Sequence, residues 1–91
     1  MTGIKEDIKK LIEQNALQEA IIQLDTLIGE SSTDDDLYYL RGNAWRKLGN
    51  WQKALNNYLE ATALNPTSPA KEAHKMLMEI LEFFNKDMYN Q

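Results

Sequence analysis

The chain has 91 residues, 43% hydrophobic and 26% charged, with four Gly, two Pro and no Cys. That is room for one domain with a modest core, too apolar for disorder, and without disulfides, thiolate metal sites or thiol chemistry. The net charge of -4 and the lack of any strongly basic segment argue against nucleic acid and against an anionic membrane surface as partners.

Met1 to Lys10 carries charges at Lys5, Glu6, Asp7, Lys9 and Lys10 and has no apolar run, so it does not read as a signal peptide. No stretch approaches the ~20 apolar residues of a membrane span. The expected compartment is the cytoplasm.

A first helix is predicted from the apolar stripe Ile4, Ile8, Leu11 and Ile12, broken at Gln14-Asn15. A second stripe follows at Leu17, Ala20, Ile21, Leu24, Leu27 and Ile28, with Gly29 in the position of a C-cap. The short connection makes the two helices antiparallel. Thr33 or Asp34 can cap a third helix, with Asp35 and Asp36 in its first turn where the macrodipole favours negative charge. It runs through Tyr38, Gly42, Trp45 and Leu48 and stops at Gly49. Asn50 is an N-cap for a fourth helix with Trp51, Ala54, Leu55, Tyr58 and Ala61 on one face, closed by Asn65-Pro66.

These four helices are two copies of one unit. A shift of 34 residues lays Ile8 on Gly42, Leu11 on Trp45, Ala20 on Ala54 and Leu24 on Tyr58. A fifth helix begins at Ser68-Pro69, a cap followed by proline in the first turn, with the stripe Ala73, Met76, Leu77, Ile80, Leu81 and Phe84. Here a shift of 35 places Ala73, Met76 and Ile80 on Tyr38, Arg41 and Trp45, whereas 34 gives three charged residues. The expected division is therefore unit one 1–34, unit two 35–68, and a capping helix with its tail 69–91.

Residues 35–68 resemble the tetratricopeptide repeat, whose pattern is W-x2-L-G-x2-Y, then A-x3-F, then P. Tyr38, Gly42 and Trp45 supply the first part, Ala54 and Tyr58 the second, and Pro66 the last. Arg41 stands where the pattern has Leu, its aliphatic stem expected to cover the same surface with the guanidinium in water. Residues 1–34 match less specifically, with Ile8 for the small residue and Ser32 for the proline. The resemblance implies an all-α fold: a right-handed helical-repeat array, or α-solenoid, of two antiparallel helix pairs plus one covering helix. It implies a protein-interaction scaffold and no catalysis.

The chemistry-bearing residues agree. His74 is the lone histidine, without a nucleophile or an orienting carboxylate beside it on the helix, so neither a catalytic group nor a metal site is expected. Asp34-Asp35-Asp36 lacks the alternation and glycine bend of a calcium loop and reads as helix capping. No phosphate loop and no cofactor is implied. Trp45, Trp51 and nearby Arg46, Lys47 and Lys53 interleave as in single-strand binders, but both tryptophans fall on core stripes.

In the family the first helix of each pair lines a concave groove. One step round from the core stripes this face carries Lys5 and Lys9, Tyr39 and Asn43, then His74 and Met78, with Arg46 a turn further on. The carboxylate clamp of one subfamily is incomplete here: Lys5 and Asn43 match, while Lys9, His74 and Met78 replace its other residues. The implied partner is an unidentified protein or peptide with acidic and apolar residues. Lys5 and Lys9 read equally well as solubilising charges. The alternative is a structural module that forms a homodimer through its last helix, using Phe83, Phe84, Met88 and Tyr89.

Overall fold

The computed structural model describes residues 3–30 and 33–89, with side chains described as far as Phe84. Five helices follow one another: α1 Ile4–Glu13, α2 Leu17–Glu30, α3 Asp35–Lys47, α4 Trp51–Leu64 and α5 Ala70–Tyr89. Each packs against the next, and α1 also reaches α3. The described residues form no strand, and no helix is long and apolar enough to cross a membrane. This is an all-α helical-repeat array with α5 as its cover.

The two helix pairs turn in the same way. At the end of α1, Asn15 adopts φ 63°, its N–H reaches the Ile12 carbonyl, and the Ala16 N–H reaches that of Leu11. At the end of α3, Gly49 adopts φ 83°, its N–H reaches Arg46, and the Asn50 N–H reaches Trp45. Both are Schellman closures, in which a left-handed residue lets two N–H groups satisfy the last carbonyls of the helix. Asn15 and Gly49 lie 34 residues apart, so the repeat holds at the turn as well as in the stripes. Asn50 then caps α4 through the Lys53 N–H, and Asp34 caps α3 through the Asp36 N–H.

Two apolar clusters form the core. Ile8, Ile12, Leu17, Ala20, Ile21 and Leu24 meet Leu37, Leu40 and Ala44 of α3. Ala54, Tyr58 and Ala61 meet Ala70 and Leu77 of α5. Trp45 packs against both clusters and joins them, with the Lys53 ammonium 4.2 Å from its ring centre.

The structure departs from the stripes at four places. Ile4, in the first turn of α1, is 60% exposed. Gly29 is not a C-cap: α2 runs through it to Glu30, and Ser32 lies outside the described residues. Trp51 is 44% exposed at the start of α4, so only Trp45 serves the core. The fourth is the register of α5. Its buried Ala70 and Leu77, with the partly buried Ala73 between them, face α4 as Leu37, Leu40 and Ala44 of α3 face α2, a spacing of 33 residues. Met76 and Ile80, placed over core positions by a spacing of 35, are 60% and 49% exposed. Ser68, itself buried, accepts from the Ala70 N–H and fixes where α5 starts.

Polar links tie the layers together. Arg41 is not solvated as expected. Its Nε donates to Asn57 Oδ1 at 2.7 Å, one terminal nitrogen pairs with Asp25 at 2.8 Å, and the guanidinium lies 5.4 Å from the Tyr38 ring centre. One side chain on α3 thus binds α4 and α2. Lys47 donates to the Ile12 carbonyl at the end of α1. Asn65 Nδ2 donates to Asp35 across unit two.

Candidate functional site

The concave face is built chiefly by α3 and α5. Tyr39, Asn43 and Arg46 lie at i, i+4 and i+7 on α3, which places all three on one side of that helix. They line a cleft of about 300 Å³ with Tyr58 beneath and Ala73, Met76, Leu77 and Ile80 of α5 as its far wall. A shallower depression continues from Asn43 and Arg46 to Lys9, Ile12, Glu13, Leu40 and Lys47. On the other side, Met76 and Ile80 continue into a patch with Glu79, Phe83 and Phe84. The three depressions share residues and form one surface, basic at its α1 end and apolar at its α5 end.

The floor of the cleft is pre-organised. The Tyr58 hydroxyl donates to Asn43 Oδ1 at 2.6 Å and accepts from Arg46 Nε at 3.3 Å. Tyr39 packs its ring 6.1 Å from that of Tyr58, tilted by 40°. Burial pushes the Tyr58 phenol above the ordinary tyrosine range, with the Arg46 hydrogen bond acting in the opposite sense. Among the described residues the terminal nitrogens of Arg46 have no hydrogen-bond partner, so its fork is free to meet a carboxylate.

The sequence-predicted residues separate. Tyr39, Asn43 and Arg46 come together in the cleft, and Lys9 borders it while paired to Glu6 at 3.1 Å. Lys5 is committed elsewhere: its ammonium contacts Asp34 at 2.8 Å and Asp36 at 3.1 Å, joining α1 to the start of α3. The hydrogen bond that Lys5 donates to Asp34 raises the Lys5 pKa, against a smaller lowering by burial. His74 and Met78 sit on the flank of α5 opposite Met76 and Ile80, beyond the buried Leu77. The different register of α5 is the reason: the helix is rotated so that Met76 and Ile80 take the place in the cleft. Phe83 and Phe84 are 63% and 59% exposed, their rings edge to face at 6.0 Å. The side chains of Met88 and Tyr89 lie outside the described residues.

Sequence reasoning overlooked Tyr58, Met76 and Ile80 as cleft residues. The apolar stripe of α4 gives Tyr58 wholly to the core, although its phenolic end needs a polar partner when buried. Among the described residues no group of His, Asp and Glu could hold a metal ion.

Comparison with known proteins gives the same architecture. The tetratricopeptide repeat family is matched over residues 35–68. A protein of Bacteroides fragilis, solved by solution NMR, is similar at 52% identity with a TM-score of 0.87, over 99% of this chain and 92% of that one. No curated protein matches the chain.

Proposed function

This chain belongs to the tetratricopeptide repeat family, whose repeats generally mediate protein–protein interaction, and on that premise we propose that it binds a protein segment on its concave face. The observation that carries the reading is the cleft of Tyr39, Asn43 and Arg46 against Met76 and Ile80. It offers a free guanidinium fork beside exposed apolar side chains, already held in place by Tyr58. A segment with acidic and apolar residues fits both halves. The role is that of an adaptor or scaffold inside the cell, without catalysis.

Arg46→Glu lies outside both core clusters, and Tyr39→Ala removes one half-buried ring that packs against the second of them. Both variants should retain helical circular dichroism while losing most of the partner captured by the wild-type chain from cell extract. Undiminished capture would overturn the assignment of the cleft.

The exposed Phe83 and Phe84 favour a second reading, in which α5 pairs with α5 of another copy. Light scattering decides it: this reading requires a mass that rises towards a dimer with concentration, and falls if the mass stays that of a monomer throughout.

A further inference from the structure

We propose that two copies of the chain join end to end, each placing Phe84 in the depression at the α3–α4 turn of the other. This rests on the second reading above, α5 meeting α5, and gives it the pocket it lacks. The depression measures about 630 Å³ and shares no residue with the concave cleft. Leu48, Trp51 and Leu55 form one side of it and Leu81 of α5 the other, and no charged residue lines it. Leu48 and Trp51 are 40% and 44% exposed.

At Leu81 the last helix draws level with the turn, and it continues to Tyr89. At about 1.5 Å per residue, residues 82–89 carry it roughly 12 Å further. Phe84 stands one turn beyond Leu81 on the same side of α5 and is 59% exposed, with Phe83 at 63%. Because α5 is continuous, its own Phe84 is carried past the rim and does not fill the depression beside it. One end of the chain thus has an apolar knob and an uncharged hole, offset by a single turn.

A two-fold axis uses that offset. When two α5 helices cross antiparallel between residues 82 and 83, Phe84 of each copy comes level with Leu81 of the other, at the border of the hole. The two bodies then lie on opposite sides of the crossing, turn towards turn. The area sets the strength. Phe83, Phe84 and Trp51 each expose about 100 Å², roughly half an aromatic side chain. With Leu48, two copies together bury about 700–800 Å² of apolar surface, and a polar rim brings them to the roughly 1,200 Å² at which specific interfaces begin. The pair is therefore weak and reversible, and one charge in the hole suffices to break it.

Sedimentation of the full chain over a wide range of concentration tests this, with Phe84→Asp, Trp51→Lys and an equimolar mixture of the two. Neither residue belongs to a core cluster, so both variants should keep the wild-type circular dichroism. The wild-type mass should rise towards that of a dimer with concentration, and each variant alone should stay a monomer. The mixture should regain the dimer, because one contact of Phe84 with Trp51 is intact and the other becomes an ion pair. High salt should weaken the mixed dimer and not the wild type. A wild type that stays monomeric throughout overturns the α5 reading and this inference together, and leaves the concave face untouched. A dimer broken by Phe84→Asp but not by Trp51→Lys leaves the α5 reading standing and overturns the inference, as does a mixture that fails to associate. Should either variant unfold, a wild-type sample mixed from labelled and unlabelled chains replaces it. Intermolecular contacts between the Phe84 ring and the Trp51 indole are expected there, and their absence from a sample of dimeric mass overturns the inference.

Discussion

Gly42 of α3 lies against the ring of Tyr58 of α4 so closely that a Cβ at residue 42 would sit 2.6 Å from Tyr58 Cε1 and 3.3 Å from the Ala54 carbonyl oxygen. Tyr58 is fully buried, and its hydroxyl is tied to Asn43 and Arg46, so its ring is held where it is. One unit earlier the same two positions hold Ile8 and Leu24, both fully buried. The helix pair is thus closed once by a small residue against a large one and once by two of middle size. Gly42→Ala should destabilise the chain by about 1–3 kcal/mol, the usual cost of overpacking. Adding Tyr58→Leu should restore part of that loss, because the second unit would then approach the packing of the first. A double-mutant cycle in urea measures the coupling, and additive losses would show that the two residues do not share the space.

The turn at Asn15 is another place where one unit reports on the other. Its φ of 63° is a conformation that glycine adopts without a Cβ penalty, and Gly49 does so at the matching turn. Asn15→Gly should raise stability by about 0.5–1 kcal/mol, while Gly49→Ala should lower it by about 1–2 kcal/mol. Nothing lies within 4 Å of a Cβ at Gly49, so the loss there is backbone strain and not a clash. Thermal unfolding of the two variants separates the signs.

Most of the fold could be read from spacing alone. Five helices, their order, the caps at Asp34 and Asn50 and the stop at Gly49 all follow from short-range chemistry. What spacing could not supply is rotation about a helix axis. Met76, Leu77, Ile80 and Leu81 all belong to one apolar stripe on α5, and which of them turns to α4 depends on where Ser68 starts the helix. That rotation moved His74 and Met78 out of the cleft and Met76 and Ile80 into it. Long polar side chains were equally opaque. Lys5 and Arg41 each choose among several acceptors, and only the assembled layers bring Asp34, Asp36, Asn57 and Asp25 within reach.

Arg41 stands where the repeat pattern has Leu, and the structure gives it a task that Leu cannot perform. Asn57 is 8% exposed and accepts from Arg41 Nε, while its own amide donates to the Lys53 carbonyl. Arg41→Leu would leave Asn57 Oδ1 without that partner in a half-dry setting, a loss of about 1–3 kcal/mol. Replacing both, Arg41→Leu with Asn57→Leu, removes the unpaired oxygen and should recover most of the stability. Denaturant midpoints of the wild type and the two variants check this. A single variant as stable as the wild type would mean that water replaces the arginine.

Lys5 gives the chain an alkaline signature. Its folded pKa is raised above 10.5 because the protonated ammonium is held by Asp34, and by Asp36 less strongly. The folded state therefore holds that proton more tightly than the unfolded chain does. The stabilisation is fully present below pH 10.5 and disappears as pH rises through the folded value. Because Lys5 is 42% exposed, the pair is worth only the ~0.2–1 kcal/mol of surface ion pairs, and salt should weaken it. Lys5→Met should accordingly be less stable than the wild type by a constant amount from pH 6 to 9, with the gap narrowing above pH 10.5 and in 1 M NaCl. Tyr58 adds to the alkaline loss in both proteins, since its raised pKa also means a proton more tightly held when folded. The difference between the two unfolding curves therefore isolates Lys5, and a gap that persisted unchanged above pH 11 would assign its effect to packing of the lysine stem.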